Sequence, residues 1–452
     1  MKHKKRSNFS NKLGFVLAAA GSAVGLGNLW RFPYLAAKYG GGIFLLVYLI
    51  LAVTFGFTIM IGEIAIGRKT GLSAIGAFEK LDKKYTFIGY LASIVPIIIL
   101  PYYSVIGGWV IKYFVDFISG NSVKAAKDGH FEAFISNPTQ PIICFFIFIL
   151  ITAIIVFLGV EKGVEKVSKI LMPVLAILTV GIAIYTATLP GSIDGLLYYV
   201  KPNFNHFSIK TVVAAMGQLF YSMSLAMGIM ITYGSYMKKD VKIESSVTQI
   251  EIFDTCIAFF AGMMIVPAVF VFNNGDSSAI NAGPGLMFIT LPKVFNSMNL
   301  GSVIGLLFFI LVLFAALTSS ISLMETIVSI IHDKLHIGRK KATLIIAIFT
   351  CIVALPSSLG FGIWSGITPL GMSFLDFFDF ISNSILMPIV AMLTCFFIGF
   401  VIKTDAIAEE VKLNSSFKRE KLFVIMTKYI APVLLLIILV SSILNALGIV
   451  KI

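Results

Sequence analysis

The residues with the most evident chemistry lie in the stretch "GSAVGLGNLWRFPY", from Gly21 to Tyr34. Three glycines within seven residues are followed by an asparagine, an arginine and a proline, although the flanking sequence is as apolar as a membrane helix. A helix interrupted at membrane depth frees carbonyl oxygens, which coordinate cations, and N–H groups at a helix N-terminus, which bind carboxylates. This pattern therefore predicts a site for a cation and an anionic group.

Glycines also serve as small packing residues where membrane helices cross, and Gly21 and Gly25 have the four-residue spacing of that role. Gly27 does not continue that spacing, and Arg31 and Pro33 follow it at once. The segment therefore favours an unwound site over a packing stripe.

The rest of the chain indicates that this segment lies in a membrane. Apolar residues make up 58% of the sequence, phenylalanine occurs 40 times, and the mean hydropathy is +0.97. Residues 141–160 and 170–189 are apolar on every face, which excludes a soluble globular core. The four cysteines lie in apolar segments without metal-ligand spacing, so we interpret them as packing residues: Cys144, Cys256, Cys351 and Cys395.

The excess of 35 Lys and Arg over 22 Asp and Glu indicates membrane orientation rather than a nucleic-acid partner. Basic residues cluster near 2–12, 68–84, 162–169, 238–242, 339–341 and 403–421, and these clusters fall in alternate loops. Because basic residues accumulate in cytoplasmic loops, the N-terminus is predicted to be cytoplasmic.

Counting apolar segments predicts an all-α polytopic membrane protein with eleven transmembrane helices. The spans are expected at about 13–37, 42–66, 87–118, 140–159, 167–188, 211–236, 246–273, 300–332, 342–357, 373–402 and 423–447. An odd number of spans places the C-terminus outside. The linker at 273–300 contains "AGPGLMFITLP", which is half apolar and is expected to fold back as a lid.

The sixth predicted span is also interrupted, at "YSMSLAMG", from Tyr221 to Gly228. Two halves of five spans that each open with a broken helix predict an inverted 5+5 repeat, with the binding site between the breaks. The expected organisation is a cytoplasmic N-terminal segment at 1–12, a ten-helix core at 13–402 with repeats at about 13–188 and 211–402, and a cytoplasmic loop plus the eleventh helix at 403–452.

These segments resemble the bacterial branch of the neurotransmitter:sodium symporter family, whose fold is LeuT-like. The resemblance covers nearly the whole chain through "GSAVGLGNLWRFPY", "YGGGIFLLVYL", "LPYYSVIGGW", "GQLFYSMSLAMGIMITYGSY", "LFAALTSSISLME" and "FLDFFDFISN". It implies sodium-coupled import of a neutral amino acid through the bacterial cytoplasmic (inner) membrane, with no obligate protein partner.

The resemblance also implies two sodium sites built from oxygen donors. The first would use Ala23, Asn28, Ser222 and Asp254, completed by the substrate carboxylate. The second would use the carbonyls of Gly21, Val24 and Ala315 and the hydroxyls of Thr318 and Ser319. Without the family match, hydrogen bonding of these two hydroxyls back to their own helix is an equally good interpretation.

The implied amino acid site has a polar cradle and an apolar pocket. The N–H groups of Leu26 and Gly27 and the Tyr103 hydroxyl would bind the carboxylate, and carbonyls of Ala23, Tyr221 and Ser222 would face the ammonium group. The side-chain pocket would be lined by Ile99, Tyr103, Tyr221, Ser224, Met227, Ser319 and Leu323. Such walls suit a neutral side chain, because a charged one would lack a partner.

Two charged pairs match the gates of the family. Arg31 and Asp379 match the outer pair. Arg6 and Asp333 match the inner pair, supported by Tyr236.

Some positions depart from the family pattern. Phe9 replaces the usual tryptophan of the inner gate, and Ala226 stands where many members have glycine, which favours smaller substrates. Asp254 aligns with a neutral asparagine, whereas Ala258 occupies a position where some chloride-independent members carry glutamate. A fixed carboxylate at Asp254 would replace chloride and, once sodium leaves, could carry a proton outward. We therefore expect chloride-independent uptake with proton antiport.

Two alternative functions, an intramembrane hydrolase and an ion channel, fit the sequence less well. An intramembrane hydrolase needs a base inside the membrane, but all five histidines fall in loops or at helix ends. An ion channel would use rings of donors repeated by oligomeric symmetry, whereas these donors come from different spans of one chain. The sequence therefore favours a sodium-coupled symporter for neutral, hydrophobic or aromatic amino acids.

Overall fold

The computed structural model describes residues 8–273, 283–446 and 449. Nine helices in this part of the chain are long and apolar enough to span a membrane. They are span 2, Gly42–Thr70; span 3, Lys83–Ile118; span 4, Gln140–Phe157; span 5, Val160–Ala187; span 7, Ile243–Phe272; span 8, Gly301–Leu335; span 9, Arg339–Leu359; span 10, Phe374–Val401; and span 11, Glu420–Ala446. The predicted all-α membrane class is confirmed.

Span 1 consists of two helices, Lys12–Ala23 (span 1a) and Gly27–Lys38 (span 1b), which meet at an angle of 54°. The helix ends because Val24 adopts extended backbone angles, with φ −74° and ψ 99°. Span 1b begins with a π-helical turn, Gly27–Arg31, and continues as the α-helix Phe32–Lys38, which has Pro33 in its first turn. The first predicted interruption is therefore present.

Span 6 is likewise divided into Ile209–Ser222 (span 6a) and Ile229–Ser235 (span 6b). Ser224, Ala226 and Gly228 between them have φ values of 53°, 59° and 72°, which no α-helix accommodates. Each half is too short to cross a membrane alone. The expected count of eleven spans is reached when the two halves form one crossing, which stays a prediction.

Shorter helices connect the spans: Ala74–Leu81, Ser122–Ala125, His130–Ile135, Ser192–Val200, Leu291–Ser297 and Thr404–Lys412. In the predicted lid, residues 274–282 lie outside the described range. Its remainder is helical, and Leu286, Met287 and Phe288 are buried.

Spans 1, 2, 6 and 7 pack on one another, and span 3 packs on spans 4, 8 and 9. Span 2 and span 6b lie in close backbone contact, since a Cβ at Gly67 would overlap the Ile231 carbonyl oxygen and one at Gly234 would overlap that of Ile64. The two interrupted helices face spans 3 and 8 across the core. Basic side chains including Lys12, Lys239 and Arg339 gather at one end of this bundle, which we call the basic end.

Candidate binding site at the two interrupted spans

The break in span 1 releases the backbone oxygens that a cation needs. The Gly25 N–H donates to the Asn28 side-chain oxygen at 3.2 Å rather than to the Gly21 carbonyl four residues earlier. The Asn28 N–H donates to the Gly25 carbonyl rather than to that of Val24. The carbonyls of Gly21 and Val24 therefore lack the bond they would accept in a continuous helix, which fits their predicted role as sodium ligands.

The hydroxyls predicted to complete this second sodium site come from span 8. The Thr318 hydroxyl bonds back to its own helix, to the carbonyls of Phe314 at 3.0 Å and Ala315 at 3.1 Å. The Ser319 hydroxyl instead crosses to span 1 and donates to the Ser22 carbonyl at 3.2 Å. Thr318 thus bonds back to its own helix, whereas Ser319 bonds across to the break in span 1.

The residues predicted for the first sodium site form one buried cluster. The Asn28 amide nitrogen donates to one Asp254 carboxylate oxygen at 2.8 Å, and the Ser222 hydroxyl lies 3.4 Å from the other. Tyr48, which the sequence analysis missed, donates to the same carboxylate at 3.2 Å and lies 3.0 Å from the Ser222 hydroxyl. Asn28 and Asp254 are both fully buried. An anionic, oxygen-rich cluster of this kind fits a hard cation.

A small cavity of about 40 Å³ lies between the breaks and spans 3 and 8. All of the residues predicted to bind substrate line it: Ala23, Leu26, Gly27, Ile99, Tyr103, Tyr221, Ser222, Ser224, Met227, Ser319 and Leu323. Ser22, Gly25 and Ile229 also line the cavity and were missed. Their roles stay predictions, but the structure brings them together.

One buried group in this cavity lacks a partner. Among the described residues, the Tyr103 hydroxyl makes no hydrogen bond, although it is buried. An unpaired buried hydroxyl is costly, and a substrate carboxylate would satisfy it. The absence of a side chain at Gly27 allows the Tyr221 ring to lie against the backbone of span 1, since a Cβ there would lie 2.7 Å from that ring.

Two contacts that hold the breaks in place were also missed. The Ser22 and Ser224 hydroxyls lie 3.0 Å apart, and Ser224 donates to the Ser22 carbonyl at 2.8 Å, which ties one break to the other. The fully buried Glu63 of span 2 accepts the Ala226 N–H at 2.8 Å. A lone glutamate in an apolar run could have been noticed as an intramembrane charge.

Comparison with known proteins identifies the family of this chain. The model of the sodium:neurotransmitter symporter family matches residues 6–126 and 129–449. This chain belongs to that family. The sodium-dependent transporter YhdH of Bacillus subtilis is 33% identical over 450 residues, covering 98% of this chain and 99% of the relative.

Two further relatives extend the comparison. The crystal structure of MhsT in complex with L-phenylalanine has a TM-score of 0.87 at 39% identity, covering 97% of this chain and 100% of that one. The human sodium- and chloride-dependent GABA transporter 2 is 26% identical over 385 residues, covering 75% of this chain and 64% of the relative. This symporter therefore has the predicted LeuT-like fold, depends on sodium and is a transporter rather than an enzyme.

The predicted outer gate of the symporter lines a separate cavity of about 460 Å³. The Arg31 guanidinium carbon lies 5.4 Å from the centre of the Tyr221 ring. The Asp379 carboxylate accepts Tyr102 at 3.1 Å and Asn383 at 2.6 Å. Arg31 and Asp379 both line this cavity, which shares Tyr221 with the substrate cavity.

At the basic end, Arg6 of the predicted inner gate lies outside the described residues. Asp333 accepts the Ser73 N–H at 2.8 Å. Tyr236 donates to the buried Glu325 at 2.7 Å, and Arg339 binds both oxygens of that carboxylate at 2.9 and 2.6 Å. Arg339 and Glu325 were therefore missed as members of this polar network.

Phe9 fills the place of the expected tryptophan by packing alone. Its ring meets those of Phe15, Tyr233 and Tyr236 edge to face at centroid distances of 5.7, 5.6 and 6.1 Å. Its backbone N–H donates to the Tyr236 carbonyl at 3.0 Å. The N-terminal segment is thereby held on span 6b without an indole donor.

Proposed function

We propose that this symporter imports neutral, hydrophobic or aromatic amino acids by alternating access. The proposal rests on the cavity between the breaks, which is lined by Leu26, Gly27 and Tyr103, whose buried hydroxyl has no hydrogen-bond partner. None of the described residues that line this cavity is charged. A charged substrate side chain would be buried there without a partner, whereas a neutral one would not. The MhsT crystal structure, a complex with L-phenylalanine, supports this substrate class.

Two sodium ions are proposed to bind beside the substrate. The cluster of Asn28, Ser222 and Asp254 adjoins the cavity, so an ion held there would contact the substrate carboxylate. Direct contact makes the two binding events reciprocal, because each ligand then strengthens the affinity for the other. The second ion would lie between the released carbonyls of span 1 and the Ser319 hydroxyl.

The Asp254 carboxylate is proposed to make chloride unnecessary. It lies within the first sodium cluster and supplies the negative charge that a chloride ion would otherwise bring. When sodium leaves, the buried carboxylate returns with a proton, so that each cycle exports a proton.

The basic end is proposed to face the cytoplasm. Basic loops stay on the cytoplasmic side, which places the 460 Å³ cavity of Arg31 and Asp379 outside. Because a bacterial sodium-dependent transporter is similar to this chain over almost its full length, we propose location in the bacterial cytoplasmic membrane.

The test is uptake of radiolabelled L-phenylalanine into proteoliposomes that contain the purified protein. An inward sodium gradient should drive saturable uptake, and replacement of sodium by potassium should abolish it. Unlabelled leucine, methionine and tryptophan should compete, whereas lysine and glutamate should not. Sodium flux that does not require any amino acid would contradict the proposal and favour a channel.

A further inference from the structure

The chain between spans 10 and 11 lies across the basic ends of three other spans. Its short helix, Thr404–Lys412, carries Glu410, whose side chain is only 5% exposed. The Glu410 carboxylate accepts Arg68 Nε of span 2 and Lys239 Nζ of the loop after span 6b, each at 2.7 Å. Arg68 also donates to the Val241 carbonyl at 2.6 Å and to the Glu410 carbonyl. One carboxylate thus joins span 2 to the connection between spans 6 and 7.

A second anchor follows a few residues later. The Glu244 carboxylate at the start of span 7 accepts the backbone N–H groups of Lys418 at 2.9 Å and Arg419 at 3.0 Å. The Arg419 guanidinium lies 3.3 Å from the centre of the Phe57 ring of span 2 and 3.5 Å from the buried Glu251 carboxylate of span 7. The same segment therefore contacts span 2 at two separate places, together with the loop after span 6b at the first and with span 7 at the second.

These contacts resist local opening. Removal of one partner from a buried ion pair leaves an uncompensated charge, and Arg68 and Glu410 are 1% and 5% exposed. The Glu244 carboxylate accepts two consecutive backbone N–H groups, so it fixes the direction of the chain at Lys418 and Arg419. The close backbone contact between spans 2 and 6b extends the same rigid unit toward the site.

Asp254 lies on span 7, and Ser224 lies in the break that precedes span 6b. Ser222 ends span 6a, but its hydroxyl lies 3.0 Å from Tyr48 of span 2 and 3.4 Å from the Asp254 carboxylate, so it contacts two of the spans held in this way. If spans 6 and 7 moved independently, the distance between Ser222 and Asp254 would change during each cycle. An ion bound between them would then be released before the inner path opened.

We propose that residues 404–419 form a cytoplasmic clamp that makes the cytoplasmic halves of spans 2, 6 and 7 move as one body. Arg68 and Glu410 are positioning residues for transport, since they act through the spans that carry the site. This inference rests on the proposed alternating access and adds the device that keeps the first sodium site intact while the spans move.

Distance measurements by electron–electron double resonance test the clamp without any need for a transported substrate. Nitroxide labels are placed at Glu409→Cys on the clamp and Gln249→Cys on span 7, both exposed, in a full-length background without the four native cysteines. A second pair joins Glu409→Cys to Lys340→Cys on span 9. The 409–249 distance should be the same in sodium and in potassium, whereas the 409–340 distance should shift. A sodium-dependent change in the 409–249 distance would overturn the proposal.

Substitutions in the clamp test whether it holds span 7, and this test does not require any response to sodium. Glu410→Gln should broaden the 409–249 distance distribution, and Lys239→Gln, at a side chain that is 59% exposed, should broaden it less without endangering the fold. The matched control Asp405→Asn, exposed on the same helix, should leave it unchanged. An unchanged distribution in Glu410→Gln would overturn the clamp.

Uptake provides the functional readout. Glu410→Gln should lower the maximal rate of sodium-driven L-phenylalanine uptake while the KM stays close to that of the parent. A change in KM alone, with the maximal rate preserved, would contradict a positioning role. Absence of uptake in the parent protein would count against the proposed substrate class, while the distance measurements would still decide the clamp.

Discussion

The Asn28 amide donates a hydrogen bond to the Asp254 carboxylate at 2.8 Å and thereby joins the break in span 1 to the middle of span 7. Both side chains are fully buried, and Tyr48 and Ser222 contact the same carboxylate. The oxygens of Asp254 and Ser222 therefore converge at one buried place, as the ligands of a bound cation must.

Uptake should not depend on chloride, and Asp254→Asn should create that dependence. Removal of the fixed charge leaves the first sodium ion without a nearby anion, and an external chloride ion can restore it. Sodium-driven L-phenylalanine uptake is measured with chloride or with gluconate as the only anion. Uptake by the wild type should be equal in the two anions, and the variant should be active only in chloride.

Proton antiport is checked in the same vesicles with a pH-sensitive dye in the lumen. Uptake by the wild type should make the lumen more alkaline, whereas uptake by Asp254→Asn in chloride should not. Strong chloride dependence of the wild type would refute the assignment.

Replacement of both Thr318 and Ser319 by alanine should weaken the apparent sodium affinity. The loss should be roughly tenfold or more, because one contact to a charged group contributes about 1.5–3 kcal/mol. The sodium concentration for half-maximal uptake is the measurement. Ser320→Ala is the matched control, since that hydroxyl faces Thr152 of span 4 at 3.1 Å instead of the break. Normal sodium dependence in the double variant would rule out this second site.

Asp379→Asn should slow transport more than it weakens equilibrium binding. The carboxylate lies beside Arg31 in the outer cavity, where closure over bound substrate would bring the two charges together. Maximal uptake should fall several-fold, while sodium-dependent binding of L-phenylalanine in detergent stays near normal. Asp376→Asn serves as control, because Asp376 lines the same cavity but is exposed and accepts the Ser373 hydroxyl. Equal losses of binding and transport would argue against a gate.

Ala226→Gly should shift the substrate preference toward larger side chains. Ala226 has a φ of 59°, which glycine adopts without steric cost, and it lies in the break between Ser224 and Met227, which both line the cavity. Inhibition of labelled L-leucine uptake by tryptophan is compared between variant and wild type. Tryptophan should gain potency relative to methionine. An unchanged ratio of the two inhibition constants would show that this methyl group does not limit the pocket.

Much of the site could be predicted from local sequence. Three glycines within seven residues mark the break in span 1, since glycine disfavours a continuous helix there. The membrane class follows from apolar segment length alone, because the bilayer fixes how many residues are needed. The family resemblance then supplied ligand positions that spacing alone left open, as for the Thr318 hydroxyl, which bonds to its own helix.

Contacts between distant parts of the chain could not be predicted in this way. Nothing in the sequence distinguishes Tyr48 from the other tyrosines in apolar segments, because its partner Asp254 lies 206 residues away. Glu410 looked like an ordinary charge in a cytoplasmic loop, yet it pairs with Arg68 across 342 positions.

Hydropathy, segment length and backbone preference are local properties, and they suffice to make this chain a membrane protein with two interrupted spans and oxygen donors near each break. Helix packing was needed to establish which side chains meet at Asp254, which hydroxyl stays unpaired at Tyr103, and which spans the segment 404–419 holds together. Such pairings are not local, because burial and partner geometry are shared by residues far apart in the chain.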